Sequence, residues 1–348
     1  MVRVAVSLEQ LGLHTPGGIA TYERELWRAL CERDDATNFV AVTARSTPDL
    51  LPGDIRRSPL PSSLLIRAWG HRAVGLPSSD VVHAGSIAGP LATSARSSVM
   101  LHDLLWRRLP STFTPRGVTF HEERWQRFRR SASLIMVTNE LLRDEVLADG
   151  VSADRVYVAP LGHRALSPDV PAALALLETH GVVGNFTLTV GSIEPRKNHA
   201  RLIAAHAAAR ARDGELGPLV IVGPRGWGDV DLSGGTWLGS VDAGTLGGLY
   251  ELARVVAYVP LAEGWGLPVI EALSAGRPVA ASQSTPSAIG RADVALSDPL
   301  DGESIAAALL AALRRDDSSS AQEVRRDSVR ALSWAACAGR HVEVWNCA

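Results

Sequence analysis

The sequence predicts an α/β protein made of two doubly wound, Rossmann-like domains that face one another across a cleft. Three observations carry that prediction. Short apolar runs alternate with helical patterns along the chain, the signature of parallel strands joined by crossover helices. The 348 residues exceed what one hydrophobic core usually organises. The alternation also lapses at residues 162–171, where Pro168 and Pro171 break any periodicity, and then starts afresh.

In the first half, residues 2–8, 38–43, 80–84, 98–102, 133–138 and 155–159 read as strands. Helical patterns fall at 19–31, 116–130 and 140–147. In the second half the strands are 186–193, 219–222, 237–241, 255–261 and 279–281. Helices are expected at 199–212, 243–253, 268–275 and 303–315, with Gly276 and Pro278 stopping the third of them. The expected domains are residues 1–165 and 166–332, joined through a linker at 162–171. Ligands of such folds bind at the carboxyl ends of strands, so the strand-end loops are where chemistry belongs.

Composition narrows the class. Apolar residues make up 46% of the chain, ample for packed cores. The formal net charge is −2, without the basic excess that a nucleic-acid partner brings. Cys31, Cys337 and Cys347 show no metal-ligand spacing and fit a reducing cytoplasm. Residues 1–6 run straight into a strand, and no apolar run is long enough to span a bilayer. A cytoplasmic protein, at most peripheral to the inner membrane face, is expected. All but one of the 35 basic residues are arginine, and the exception is Lys197. No fold requires such a bias, so the lysine kept against it is worth following.

Four strand-end loops concentrate unusual residues. The first, residues 14–19, places Gly17 and Gly18 at a helix start, where N–H groups and the helix dipole favour an anion such as a diphosphate. By itself such a pair more often marks a simple turn. The second, residues 190–199, follows the first strand of the second domain and carries Gly191, Arg196 and Lys197. A strand end and a helix start there both aim at a bound phosphate, the plainer alternative being a solvated basic turn.

The third loop, residues 260–272, is the most informative. It carries Glu263 at a strand end and Glu271 eight residues on, inside a short apolar helix. Gly264 and Gly266 keep the backbone around Trp265 and Leu267 open to a ligand, and Pro268 suits a first helical turn. A carboxylate on an apolar helix is either exposed or firmly partnered. The fourth loop, residues 100–104, holds His102 at the end of an apolar strand, a place that alone demands no function.

Together these loops resemble glycosyltransferase family 4, the retaining transferases of the GT-B fold, over nearly the whole chain. The run Glu263-Gly264-Trp265-Gly266-Leu267-Pro268 through Glu271 is similar to the family's two glutamates separated by seven residues. The run Gly191-Ser192-Ile193-Glu194-Pro195-Arg196-Lys197-Asn198 is similar to its phosphate-binding segment, in the form found among bacterial polysaccharide mannosyl- and rhamnosyltransferases. Gly17-Gly18, His102-Asp103 and Asp298-Pro299 agree more weakly. Residues 333–348 resemble the terminal helix that in this fold returns to the first domain.

The resemblance implies an acceptor-side first domain and a nucleotide-sugar-binding second domain. It implies that Gly17 and Gly18 approach the donor diphosphate and that His102 lies near the transferred sugar. Arg196 and Lys197 would neutralise the departing diphosphate, with Lys197 standing open while no ligand is bound. Glu263 would hold sugar hydroxyls beside the N–H groups of Trp265 and Gly266, with Gly191, Gly264 and Leu267 also lining the donor. Glu271 would accept the ribose hydroxyls. The implied reaction moves a hexose, mannose as first choice, from a nucleotide diphosphate-sugar to a hydroxyl of a sugar or lipid-linked acceptor. It retains configuration by front-face attack and needs neither metal nor other cofactor.

Two departures stand out. Ser192 occupies a place where many relatives carry arginine, and residues 284–290 lack a glutamate that related sequences often show. Asp229 and Asp231 match the metal-binding triplet of the other major transferase fold, but in a glycine-rich loop of the wrong domain. A sugar-nucleotide epimerase of the same shape and a non-catalytic nucleotide-sugar binder are the rival readings. Residues 106–130 hold seven arginines with Phe113, Phe120, Trp125 and Phe128. That stretch suits either an anionic membrane surface or a solvated helix packed through its aromatics.

Overall fold

The structure, a computed structural model, describes residues 2–13, 17–47, 51–72, 74–91, 94–163 and 166–347. Residues 14–16 of the Gly-Gly loop, residues 164–165 of the expected linker and both chain ends lie outside the described residues. The chain forms two compact units, Met1–Gly162 with Leu332–Ala348, and His163–Ala331.

The first unit runs β1 (Val4–Ser7), α1 (Gly18–Cys31), β2 (Phe39–Thr43), β3 (Ile55–Arg57), α2 (Ser62–Trp69), β4 (Val81–Ala84), β5 (Arg96–Leu101), α3 (Leu105–Arg108), α4 (Pro115–Ser131), β6 (Leu134–Val137), α5 (Glu140–Ala148) and β7 (Val156–Val158). Its strands pair in the order β3-β2-β1-β4-β5-β6-β7, all parallel. β1, β2, β4 and β6 are buried along their whole length, which is why they read as continuous apolar runs. Helix α4 starts where Thr114 accepts a hydrogen bond from the N–H of Gly117, and α5 where Asn139 accepts one from Leu142. Trp106, Trp125 and Phe128 are buried, and Arg124 donates to the carbonyls of Ile87, Ala88 and Gly89. Those three aromatics belong to the core, whereas Phe113 and Phe120 of the same stretch are half-buried.

The second unit runs α6 (Val170–Thr179), β8 (Thr187–Val190), α7 (His199–Arg212), β9 (Leu219–Val222), β10 (Thr236–Trp237), α8 (Ala243–Leu252), β11 (Val255–Tyr258), α9 (Leu267–Ser274), β12 (Val279–Ser282), β13 (Val294–Ser297), α10 (Gly302–Leu313) and α11 (Ser319–Val329). The strand order is β10-β9-β8-β11-β12-β13, again parallel throughout. Its core gathers Leu202, Leu219, Ile221, Val255, Ala257, Ile305 and Leu309 between the sheet and helices α7 and α10. Val170 and Pro171, expected in a linker, instead open α6. Asp169 caps that helix by accepting the N–H of Ala172 at 3.0 Å, and proline costs nothing in a first turn. No helix among the described residues is long and apolar enough to cross a membrane.

The final helix, α12 (Trp334–Cys347), packs with the first unit through a hydrogen-bond chain whose direction is fixed at both ends. His341 Nδ1 faces the carbonyl of Cys337 at 2.8 Å and so carries the proton. Its Nε2 then accepts the hydroxyl of Tyr22 at 2.8 Å, and Tyr22 in turn accepts Nε2–H of His83 at 2.9 Å. His83 Nδ1 accepts Ser98, which accepts the indole N–H of Trp345. Both histidines must be neutral for the chain to close. Burial pushes His83 well below the ordinary range and His341 down to about 4.

A folded-state value below the unfolded one means that stability is present above the unfolded value and lost as pH falls toward the folded one. The stability difference between wild type and His341→Gln should therefore be largest above pH 6.5. It should shrink by about 1.4 kcal/mol per pH unit on the way down to about pH 4. Urea melts at several pH values measure it. A difference that does not change with pH would show His341 to be packing alone.

Candidate functional site

In a doubly wound sheet the ligand site lies at the carboxyl ends of the strands where the order reverses. In the second unit that point falls between β8 and β11. The loops leaving these strands are the two that carry Arg196, Lys197 and Glu263.

The loop after β8 extends through Ile193, whose N–H donates to Pro224, and tightens into a short 3₁₀ turn over Pro195–Lys197. Asn198 follows at φ 63°, the one non-glycine residue with positive φ among the described residues. Asparagine tolerates this conformation, and here its side chain also fixes the loop. Its Nδ2 donates to the carbonyls of Val259 at 3.0 Å and Pro299 at 2.8 Å. The turn is thereby tied to the end of β11, and the Asp298-Pro299 pair acquires a structural purpose. The N–H of Leu261 closes the tie by donating to the Arg196 carbonyl at 2.9 Å.

One oxygen of Glu263 gathers three donors. Arg196 reaches Oε1 at 2.6 Å, the Tyr258 hydroxyl at 2.8 Å, and the Lys197 ammonium also donates to it. Lys197 donates to Tyr258 at 2.9 Å as well, and Arg196 uses its other nitrogen on Glu194 at 2.7 Å. Two cations thus face two carboxylates, and the cluster is neutral as it stands. Lys197 is not open as the sequence suggested, since only 12% of its side chain is exposed. Its stem lies beside Gly191 and its ammonium 5.3 Å from the centre of the Tyr258 ring.

Burial alone would raise the Glu263 carboxyl, but Arg196 and Lys197 hold it down to about 2. For Lys197, burial and Arg196 lower the ammonium and Glu263 opposes them, leaving it below the usual lysine range. Burial and Glu263 push the Tyr258 phenol well above its ordinary value, so it stays protonated and donates.

Gly264 is buried and Trp265 half-buried in the loop that follows Glu263. Gly266 sits at φ 103°, and a Cβ there would come within 2.4 Å of Thr285 Cγ2. The carbonyls of Trp265 and Gly266 accept the N–H and the hydroxyl of Ser287 at 3.0 and 2.8 Å. Ser287, in the stretch marked as a departure, is therefore what fastens this loop. Leu267 begins α9, and Glu271 lies further along it, half-buried. Its Oε2 accepts the Tyr250 hydroxyl at 2.9 Å, so it is partnered and does not simply point to water.

In the first unit the order reverses between β1 and β4. Gly17 caps α1 and Gly18 begins it, both exposed, and neither has positive φ. A Cβ at either would meet nothing within 4 Å among the described residues, so internal packing does not call for glycine here. His102 follows β5, its ring 4.8 Å from that of Tyr22. Its Nε2 donates to the Gly85 carbonyl at 2.9 Å, and burial keeps the ring below the ordinary histidine range. Nearby, Ser7 and Ser86 hold the buried Glu9 carboxyl, while Glu23 accepts the N–H of Gln10. Burial raises both carboxyls, Glu23 the further of the two.

The structure thus brings Arg196, Lys197 and Glu263 into one cluster beside Gly191. Glu271 takes its own partner, and His102, Gly17 and Gly18 belong to the other unit. Sequence reasoning missed Tyr258, Asn198 and Ser287. Asp231 accepts the N–H of Ser233 in an exposed turn, and among the described residues no group of three His, Cys, Asp or Glu could hold a metal ion.

Residues 184–315, which contain this cluster, match the family described as Glycosyl transferases group 1. The O-antigen chain mannosyltransferase B of Escherichia coli is 30% identical over 269 residues, covering 72% of this chain and 70% of that protein. Among solved structures, Anabaena HepE in complex with UDP and glucose has a TM-score of 0.73 at 15% identity, over 100% of both chains. WaaG, a glycosyltransferase involved in lipopolysaccharide biosynthesis, has a TM-score of 0.74 at 15% identity, over 99% of this chain and 100% of that one. The structural likeness establishes the GT-B fold. With a relative of this similarity over most of both lengths, the chain belongs to the group 1 glycosyl transferases.

Proposed function

We propose that the chain transfers a hexose, with mannose the first to try, from a nucleotide diphosphate-sugar to a hydroxyl acceptor with retention of configuration and without a metal ion. The observation that carries this reading is the Arg196–Lys197–Glu263 cluster at the switch point of the second sheet. A departing diphosphate concentrates negative charge, and preorganised cations and donors aimed at it lower the barrier most. Arg196 and Lys197 supply two such cations on a turn that Asn198 holds rigid. Glu263 sits between them as the group that would meet the sugar hydroxyls.

Glu271 serves the ribose hydroxyls in this reading, its second partner being Tyr250. Gly17 and Gly18, for which packing among the described residues does not call, would let the donor diphosphate approach the start of α1. In this reading His102 would meet the transferred sugar, its ring neutral and its Nδ1 free of the proton because Nε2–H donates to Gly85. The Escherichia coli relative, a mannosyltransferase by name, supports trying a mannosyl donor, and the UDP bound to HepE supports trying a nucleotide diphosphate. A sugar or lipid-linked sugar is the acceptor class that a polysaccharide enzyme would use.

The test is a panel of GDP-, UDP- and dTDP-sugars with simple mannoside acceptors, run with and without excess chelator. Acceptor-dependent transfer that survives chelation, with product of the donor's anomeric configuration by NMR, is the expected result. Inverted product, or dependence on added magnesium or manganese, would sink the mechanism. Release of an altered sugar nucleotide without acceptor would identify an epimerase instead.

A further inference from the structure

We infer that Tyr258 is a positioning residue for the transfer, its hydroxyl holding Lys197 and Glu263 on one shared atom and keeping Glu263 aimed once a donor diphosphate engages the cations. The inference rests on the reaction proposed above. Tyr258 is the last residue of β11, 4% exposed, in a strand otherwise made of Val255, Val256 and Ala257. A polar tip in that place needs partners, and it has two. The oxygen accepts Lys197 Nζ at 2.9 Å and the O–H donates to Glu263 Oε1 at 2.8 Å, filling the roles a neutral phenol can play. The ammonium stands off the hydroxyl end of the ring, 5.3 Å from its centre, and Cε1 falls 3.5 Å from where a Cβ on Gly266 would be. One side chain therefore touches the lysine turn, the glutamate and the loop beyond it.

The consequence appears on ligand binding. As long as the site is empty, Glu263 has Arg196, Lys197 and Tyr258 on one oxygen. A diphosphate draws on the two cations, while the single phenol proton is already committed to Glu263 at 2.8 Å. Tyr258 is then the partner that remains, and it keeps the carboxylate ionised and oriented toward the sugar. A phenylalanine would fill the same space and leave nothing in that role.

The experiment compares Tyr258→Phe with Tyr258→Leu. Tyr258→Phe is expected to lower kcat about tenfold or more, with KM for the donor within about twofold, since a hydrogen bond to a charged group is lost. Tyr258→Leu should lose no less. Because Lys197 is the only lysine, an amine-directed acetylating reagent read by peptide mass spectrometry reports its release, and it should react faster in Tyr258→Phe. Wild-type kcat in Tyr258→Phe overturns the inference even if Lys197 reacts faster, because the hydroxyl then serves packing alone. Unchanged labelling overturns it too. If the unaltered protein transfers nothing from any donor, the functional reading has failed, and this inference falls with it.

Discussion

Replacing Lys197 by methionine is expected to lower the rate of sugar transfer about a hundred- to a thousand-fold, the cost of removing one preorganised donor aimed at developing charge. Methionine keeps the apolar stem beside Gly191 and removes only the ammonium. The fold should survive, because Glu263 retains Arg196 at 2.6 Å and Tyr258 at 2.8 Å. Lys197→Arg should recover little of the rate. A planar guanidinium cannot occupy the place of a point charge that is bonded to one phenol and one carboxylate and lies 5.3 Å from a ring centre. Single-turnover kinetics with the best donor, alongside circular dichroism, measure both statements. A Lys197→Met variant that is folded and transfers at the wild-type rate would remove the cationic half of the proposed mechanism.

The strands were legible because parallel sheets covered on both faces demand apolar runs, and β9 and α7 coincide with the sequence reading to the residue. The misses have physical reasons. β3 is three residues at a sheet edge, and Arg56 and Arg57 face solvent there, so no apolar run marks it. α6 hid behind Pro168 and Pro171, which read as breakers although proline is welcome in a first turn. α11 is largely exposed and polar, and only Arg325 and Val329 are buried along it.

At the site, the charged residues could be found by spacing, but their pairing could not. Lys197 and Glu263 meet because β8 and β11 are neighbours in the sheet, although β9 and β10 come between them in sequence. That adjacency, and not either loop alone, turns an expected open lysine into an enclosed one. Tyr258 was hidden for a related reason. At the end of an aliphatic strand a tyrosine passes for one more core residue until its hydroxyl is seen between two charges.

Replacing Glu263 by alanine should move binding and turnover in opposite directions. In the ligand-free cluster Arg196 and Lys197 are balanced by Glu194 and Glu263, so an arriving diphosphate must compete with an anion already in place. Without Glu263 the cluster carries one uncompensated positive charge. A unit charge at about 4 Å and an effective dielectric of about 20 is worth about 4 kcal/mol, and partial exposure reduces it. Nucleoside diphosphates should therefore bind about tenfold more tightly, which is about 1.4 kcal/mol. The free variant should also be less stable, since removing one partner of a buried ion pair costs up to about 3–5 kcal/mol. Ligand restores the missing negative charge, so the rise in Tm on adding GDP or UDP should be larger than in wild type. Turnover should nonetheless fall about a hundredfold or more, because no carboxylate is left to meet the sugar. Calorimetric titration of free nucleoside diphosphate and single-turnover transfer give the two numbers. Weaker nucleoside diphosphate binding in Glu263→Ala would show that Glu263 helps to hold the diphosphate and does not compete with it.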